Sequence, residues 1–492
     1  MPWPNNPAAS QNGARATAIL AAAIVLAACT TVGPNFNTPA GPAAAGYAMA
    51  GDARPAIAEL TPRARAAGPW WRSLGSADLD AVMVQALAGN QTLAAADATL
   101  EKARDEAAKT RGAGALQASA SAGAERERIN TQIFGIPNFP SPTINLFSVG
   151  GMVSYDLDLF GGQKRRGEAG EAAAEAQARR ADAAYLTLTG NVALQAVQIA
   201  GLRAQIGAVR DIAADDQHNI DIVRAAEAAG GEAPSATTSG VAQLAEDQAL
   251  MPPLEQELAR ARHALALLVG KPAADWTAPD FAVADFTPPA HIPLALPSAL
   301  VRGRPDILAA EADLHADTAR IGVATADLYP DIRLVAGLTQ SALAPQSLFS
   351  FSSTGYNFGA ALTAPILNGG ALRAEKRAAQ AQARASLAQY RQTVLVAFTQ
   401  VSDVLTALAH DDDQAAALTK AQSTAQAALA DARTAYRLGG GAVLPIVQAQ
   451  RRLDRARLAL IQAQDQRLAD IVSLYAATAT DWRPAPAAPS GS

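Results

Sequence analysis

Tyr356-Asn357-Phe358-Gly359-Ala360-Ala361-Leu362-Thr363-Ala364-Pro365-Ile366-Leu367-Asn368-Gly369-Gly370 changes its period as it runs. Tyr356, Phe358, Ala360, Leu362, Ala364 and Ile366 alternate with Asn357, Gly359 and Thr363, the two-residue period of a strand with one apolar face. Asn368-Gly369-Gly370 stops it. From Ala371 to Leu438 there is no proline, and Leu387, Tyr390, Val394, Ala397, Val401, Val404 and Leu408 recur in steps of three and four. That is coiled-coil spacing. The pattern predicts a strand over about 355–367 feeding a helix over about 371–438. At about 1.5 Å per residue such a helix reaches about 100 Å, longer than most globular domains hold.

The same order occurs upstream. Leu116, Ala118, Ala120, Ala122 and Ala124 alternate with Gln117, Ser119 and Ser121, then Phe147, Val149, Val153, Tyr155, Leu157 and Leu159 alternate with Ser148, Gly150, Ser154, Asp156 and Asp158. These predict strands over about 115–128 and 146–160, separated by the proline-rich loop Ile136–Pro142. A proline-free helix is expected over about 163–229, with Leu188, Val192, Ile199, Leu202, Ile206 and Val209 in its apolar stripe. A helical pattern from Ala77 to about Gly112 precedes the strands, and a further helix from Pro234 to Gly270 follows. Downstream, Arg304-Pro305-Asp306 opens a helix that ends near Tyr329-Pro330, before a strand over about 331–343. A last helix runs from Pro445 to about Tyr475. Helix, two strands, long helix and helix therefore come twice, in repeats at 70–271 and 298–482 around a linker at 272–297, with a tail at 483–492.

Residues 1–28 read as a secretory leader. Arg15 is the only charge before residue 52, and the apolar run Ala16–Ala28 is too short to span a bilayer. Leu26-Ala27-Ala28-Cys29 resembles the bacterial lipobox, which makes Cys29 the expected lipid attachment point. Residues 29–69, rich in Pro, Gly and Ala, are expected to form an extended tether. No other apolar run is expected to reach the length of a membrane-spanning helix, so crossing falls to strands in a closed barrel. Four strands cannot close one alone, because known single-chain barrels need at least eight. Two copies supply eight and three supply twelve, and composition does not choose.

Composition excludes other classes. The chain has 492 residues and a formal net charge of −5, with 50% apolar residues but only 5% aromatic, and about a quarter of its positions are alanine. That favours long helices packed through small side chains. The acidic balance leaves no footprint for nucleic acid. A single cysteine and five histidines give no metal site and no cofactor beyond the lipid on Cys29. No metalloprotease helix, nucleophile elbow or dinucleotide fingerprint is present, so no enzyme is expected. His410-Asp411-Asp412-Asp413 point in different directions on a helix and are expected to be a solvated collar.

Several fragments resemble the TolC-like outer membrane efflux proteins, and most closely their lipoprotein branch of OprM- and NodT-type factors. They are Trp70-Trp71, Asp156-Leu157-Asp158-Leu159-Phe160-Gly161, Leu296-Pro297-Ser298-Ala299-Leu300, Arg304-Pro305-Asp306-Ile307, Leu328-Tyr329-Pro330 and Pro365–Gly370. The resemblance runs from about Pro69 to Trp482. It implies a mixed α/β membrane protein, with a long helical coiled-coil barrel and a transmembrane β-barrel shared in a homotrimer, four strands per chain. It also implies the exit duct of a tripartite efflux system for small toxic compounds or drugs. Its partners would be outer membrane lipid, a periplasmic adaptor and an inner-membrane transporter of the resistance-nodulation-division type. A protein-secretion duct and a non-pore coiled-coil scaffold are the alternatives.

On that resemblance the periplasmic tips fall at Gly230-Gly231 and Leu438-Gly439-Gly440, where the adaptor makes contact. Tyr436 matches a tyrosine that holds closed tips together. Pro445 and Gln448 stand where the family often carries an acidic ring, so gating uses other contacts, with Glu227 and Glu232 as possible substitutes. If strands dominate the anchoring, Cys29→Ala removes the lipid and leaves some inserted protein. Complete loss from outer membrane fractions contradicts that view.

Overall fold

The chain was described from a computed structural model covering residues 31–41, 46–47, 49, 51, 58–61, 69–130, 141–289, 291–295, 297–440 and 442–478. Cys29, the leader, the loop at 131–140 and the tail at 483–492 lie outside these residues. The elements are β1 (Ala58–Thr61), α1 (Ala77–Gly89), α2 (Gln91–Ala113), β2 (Gln117–Arg128), β3 (Thr143–Asp156), α3 (Gly162–Ala228), α4 (Pro234–Gln248), α5 (Met251–Val269), β4 (Ile292–Ala295), α6 (Pro297–Gly303), α7 (Pro305–Ala326), β5 (Asp331–Ala342), β6 (Thr354–Thr363), α8 (Ala371–Arg437) and α9 (Val443–Thr478).

Two units emerge. The first takes in residues up to Pro39, Leu100–Gln177 and Ala310–Tyr390. Its centre is one antiparallel sheet in the order β2-β3-β5-β6, so the two repeats meet at the β3–β5 pair. The register gathers most of the large apolar positions of β5 and β6 on one face. Ala118 pairs with Val153, Val153 with Ala336 and Ala336 with Phe358; one row on, Ala120, Gly151, Leu338 and Tyr356 line up. The opposite face carries Ser119, Met152, Gly337 and Asn357 in one row and Ser121, Gly150, Thr339 and Gly355 in the next. Phe358 and Tyr356 are 84% and 85% exposed, so no described residue covers the apolar face on β6.

Both second strands of the repeats stop earlier than their alternation predicts. β3 ends at Asp156 because Asp158, with φ of 39°, turns back to cap the next helix. Its carboxylate accepts from the backbone N–H of Gln163 at 2.8 Å and of Lys164 at 2.9 Å, satisfying two free donors of α3. β6 ends at Thr363, ahead of Pro365, which has no N–H for a ladder.

The second unit takes in Ala40–Thr99, Ala178–Ala309 and Arg391–Ser492. Its core gathers Trp70, Leu74, Leu79, Met83, Ile199, Leu265, Phe281, Leu408, Ile471 and Tyr475. Trp70 is fully buried, stacked on Tyr475 with ring centroids 5.3 Å apart. Trp71 donates its indole N–H to Asp80 at 2.9 Å. Arg304 is a buried clip. It donates two bonds to Asp306 (3.0 and 2.7 Å), one to the Ala477 carbonyl in the last turn of α9 (2.7 Å) and one to Gln400 on α8 (2.9 Å).

Four readings of the sequence are corrected here. The helix from Ala77 breaks at Asn90, whose side chain caps α2 through the Leu93 N–H and donates to the Leu268 carbonyl. The helix from Pro234 breaks at Ala249-Leu250, because Pro252 and Pro253 suit only a first turn. Residues 58–61 of the expected tether pair in parallel with 292–295 of the linker. By length and composition α3 and α8 do each hold a window apolar enough to span a membrane. Their alanine content makes them apolar on more than one face; most of the α3 window is buried, and only a third of that in α8.

Arg304→Ala strips donors from three elements. Hydrogen bonds to a charged group are worth about 1.5–3 kcal/mol, and the half-exposed Asp306 lowers the total, so the expected cost is about 2 kcal/mol. Thermal unfolding in detergent checks this, and an unchanged midpoint counts against the clip.

Candidate functional site

The two hairpin turns use the same device. At the end of α3, Gly230 takes φ of 76°, its N–H bonds to the Glu227 carbonyl, and the Gly231 N–H reaches back to Ala226. At the end of α8, Gly439 takes φ of 76°, its N–H bonds to the Tyr436 carbonyl, and the Gly440 N–H reaches back to Ala435. Each is a left-handed glycine cap that an L side chain would strain. Leu438 is exposed at the second tip. Pro445 and Gln448 are exposed on the first turns of α9, while Ile446 between them is buried against Leu429 and Leu453. Tyr436 thus joins the turn through its backbone, and its ring stays exposed. Glu227 is occupied, accepting a hydrogen bond from Thr237 across the first hairpin.

Within the same unit a polar network joins both hairpins. Gln450 on α9 donates to Asp215 on α3 at 2.8 Å and to Asp454 at 2.9 Å, and accepts from Arg433 on α8 at 3.1 Å. Arg457 lies 3.8 Å from Asp215. Gln243 on α4 holds Asp247 at 2.7 Å, and Asp247 faces Asp216 of α3. Asp216 and Asp454 are buried, and each keeps one carboxylate oxygen without a partner. Burial, the hydrogen bond and charge of Asp247 and the charge of Asp454 push Asp216 up to about 7 against the pull of Arg451. Burial, with Asp215 and Asp247, raises Asp454 to about 6 against Gln450 and Arg457.

The expected solvated collar is also corrected. Asp411 is buried, and burial with the neighbouring Asp470 raises it to about 6, while Asp412 pairs with Arg467 at 2.7 Å. The signal was present in the spacing. Val401, Val404 and Leu408 lead by another three-residue step to Asp411, and Ile212 leads by four to Asp216 and by four more to Ile220. A carboxylate inside an apolar stripe is a buried one. Among the described residues no cluster of His, Cys, Asp and Glu suits a metal ion.

The duplicated topology and its paired hairpins match one family description twice, "outer membrane efflux protein", over residues 82–271 and 296–480. The chain belongs to the outer membrane efflux protein family. It is 30% identical over 466 residues to the pyoverdine export outer membrane protein OpmQ of Pseudomonas aeruginosa, covering 93% of this chain and 96% of that one. It is 27% identical over 451 residues to nodulation protein T of Rhizobium leguminosarum bv. trifolii, covering 89% and 92%. The solved outer-membrane channel OprN superposes with a TM-score of 0.83 at 26% identity, over 92% of this chain and 100% of that one. The TolC-like assignment, and its OprM/NodT-type branch, therefore hold. The protein is an outer membrane efflux duct.

The raised aspartates set a pH dependence. A carboxyl whose folded pKa lies above its unfolded value adds stability at low pH and loses it as pH rises through the folded value. Protonated Asp216 shares a hydrogen bond with Asp247; ionised, it repels Asp247 and Asp454. Hydrogen exchange of residues 234–248, corrected for intrinsic rates, is expected to speed up between pH 5.5 and 8. Asp216→Asn is expected to flatten that change, and an equally steep change in the variant refutes the assignment.

Proposed function

We propose that three copies of this chain close a twelve-stranded barrel and a helical duct through which small toxic compounds leave the cell. The observation that carries this is the sheet itself. Among the described residues β2 and β6 are each paired on one side only, leaving two rows of backbone donors and acceptors open. Lipid offers no partner for such groups, so the edges need another strand. With four antiparallel strands, β6 of one copy meets β2 of the next in antiparallel sense, and the pattern closes without a break. The apolar face would then turn to lipid and the face of Ser119, Ser121, Thr339 and Asn357 to a wet lumen. On α8, exposed Leu395 and Val396 supply an apolar surface for a neighbouring copy. Eight strands from two copies also satisfy the closure rule; three follows from the family resemblance.

In this reading Cys29 carries the lipid, and the tips at Gly230, Gly231, Leu438, Gly439 and Gly440 meet a periplasmic adaptor. A resistance-nodulation-division transporter in the inner membrane supplies the energy. The chain conducts passively and does no catalysis. Its cargo is a small solute handed over by that pump, as export of pyoverdine is the role named for the OpmQ relative.

Native mass spectrometry of detergent-extracted mature protein tests the assembly. Three copies, each beginning at Cys29 with acyl mass attached, are expected. An intact lipid-free monomer that needs no detergent sinks the duct.

A further inference from the structure

Arg165 in the first turn of α3 is almost fully buried, yet only one of its bonds goes to a carboxylate. That bond runs to Glu168 at 2.7 Å. Its remaining donors point at the segment that follows Cys29 in sequence. Nε donates to the Val32 carbonyl at 3.2 Å, and the second terminal nitrogen donates to the Gly33 carbonyl at 3.4 Å and to Asn35 Oδ1 at 2.8 Å. The fork of a guanidinium can address several acceptors at fixed angles, which an ammonium cannot.

Other contacts continue along the same segment, all within the first unit. The Val32 N–H bonds to the Phe160 carbonyl at 3.1 Å, in the turn between β3 and α3. Phe36 stacks on His315 of α7 with centroids 4.5 Å apart, and the same imidazole lies 3.0 Å from Glu168. Thr38 donates to Glu311 at 2.8 Å. Gly33 takes φ of 90°, and a Cβ placed on it would come 2.4 Å from the Cα of Gly322 on α7. Main chain therefore lies on main chain at Gly33, while a Cβ on Gly322 would come 2.7 Å from Cγ of Arg165 and displace the receptor side chain. Burial works to raise Glu168, but hydrogen bonds from Arg165 and His315 outweigh it and hold the carboxyl below its usual range.

We propose that residues 32–38 are a docked strap with Arg165 as its receptor, and that the strap holds the lipid-bearing end of the chain beside the strand-to-helix turn of the sheet. This rests on the reading of Cys29 as the lipid site. Two residues of chain span at most about 7 Å, so an acyl-bearing Cys29 stays within that reach of Thr31. An anchor on a loose linker would leave its lipid free to enter the bilayer anywhere within the linker's length. An anchor strapped at the turn after β3 puts acyl chains and strands into the membrane at one place. Arg165 is a positioning residue in this arrangement.

The test uses the full-length, membrane-extracted protein with two variants. Gly33→Ala unseats the strap by its clash with the backbone of Gly322 and alters no helical residue; Arg165→Lys keeps the charge and loses the fork. Hydrogen exchange is read on residues 31–38 and on α3, the mass of the N-terminal peptide reports acylation, and urea-resistant material in outer membranes reports insertion. The wild type is expected to protect the Val32 amide. Both variants are expected to exchange residues 31–38 at least 100-fold faster with α3 still protected and acyl mass unchanged, while urea-resistant protein falls several-fold. A strap that exchanges freely in the wild type overturns the proposal, as does full insertion in variants whose strap is released. A wild-type N-terminal peptide without acyl mass overturns the lipid reading on its own, whatever the exchange shows.

Discussion

Backbone groups in hydrocarbon must find partners within the protein, and among the described residues the sheet that meets that demand has four strands. Everything else about the molecule is arranged around the shortfall. The register of β2, β3, β5 and β6 collects Val153, Ala336 and Phe358 on one face and mostly small or polar residues, with Met152 and Val335 among them, on the other. The strand edges stay open because each repeat brings a single pair of strands. Alanine-rich helices serve the same end. Small side chains let helices approach closely, and a stripe left uncovered on α8 awaits another surface.

Much of this was legible in the sequence because it rests on local periodicity. The alternation at 355–363 and the three/four spacing from 371 onward depend on no distant contact. The errors arose where one residue served two elements. Asp158 reads as the polar side of a strand but caps α3 from a left-handed turn. Pro252-Pro253 sits inside an otherwise helical pattern and restarts the helix. The pairing of β1 with β4 joins segments far apart in the chain, which no local pattern reveals.

The hairpin tips were legible as glycines, and the polar network was not. Asp216, Asp411 and Asp454 are ordinary acidic residues to a composition count, and only their positions in apolar stripes mark them. Their burial between helices is what raises them towards neutrality. Such groups are poor fasteners at fixed pH and sensitive ones when pH changes. The hairpins of this chain are therefore joined by groups whose charge varies within the physiological range.

The two hairpins share a cap but not a return limb. α9 runs unbroken from Val443 to Thr478, whereas the first hairpin comes back as α4 and α5 with an interruption at Ala249-Leu250. An unbroken helix carries a tilt along its whole length, and an interrupted one takes up the tilt at its joint. One arm of each chain is thus a lever and the other an articulated limb. A bend forced on α9 has to break hydrogen bonds of its own ladder, whereas its counterpart already lacks the amide donors of Pro252 and Pro253, so the duplicated halves start from unequal stiffness.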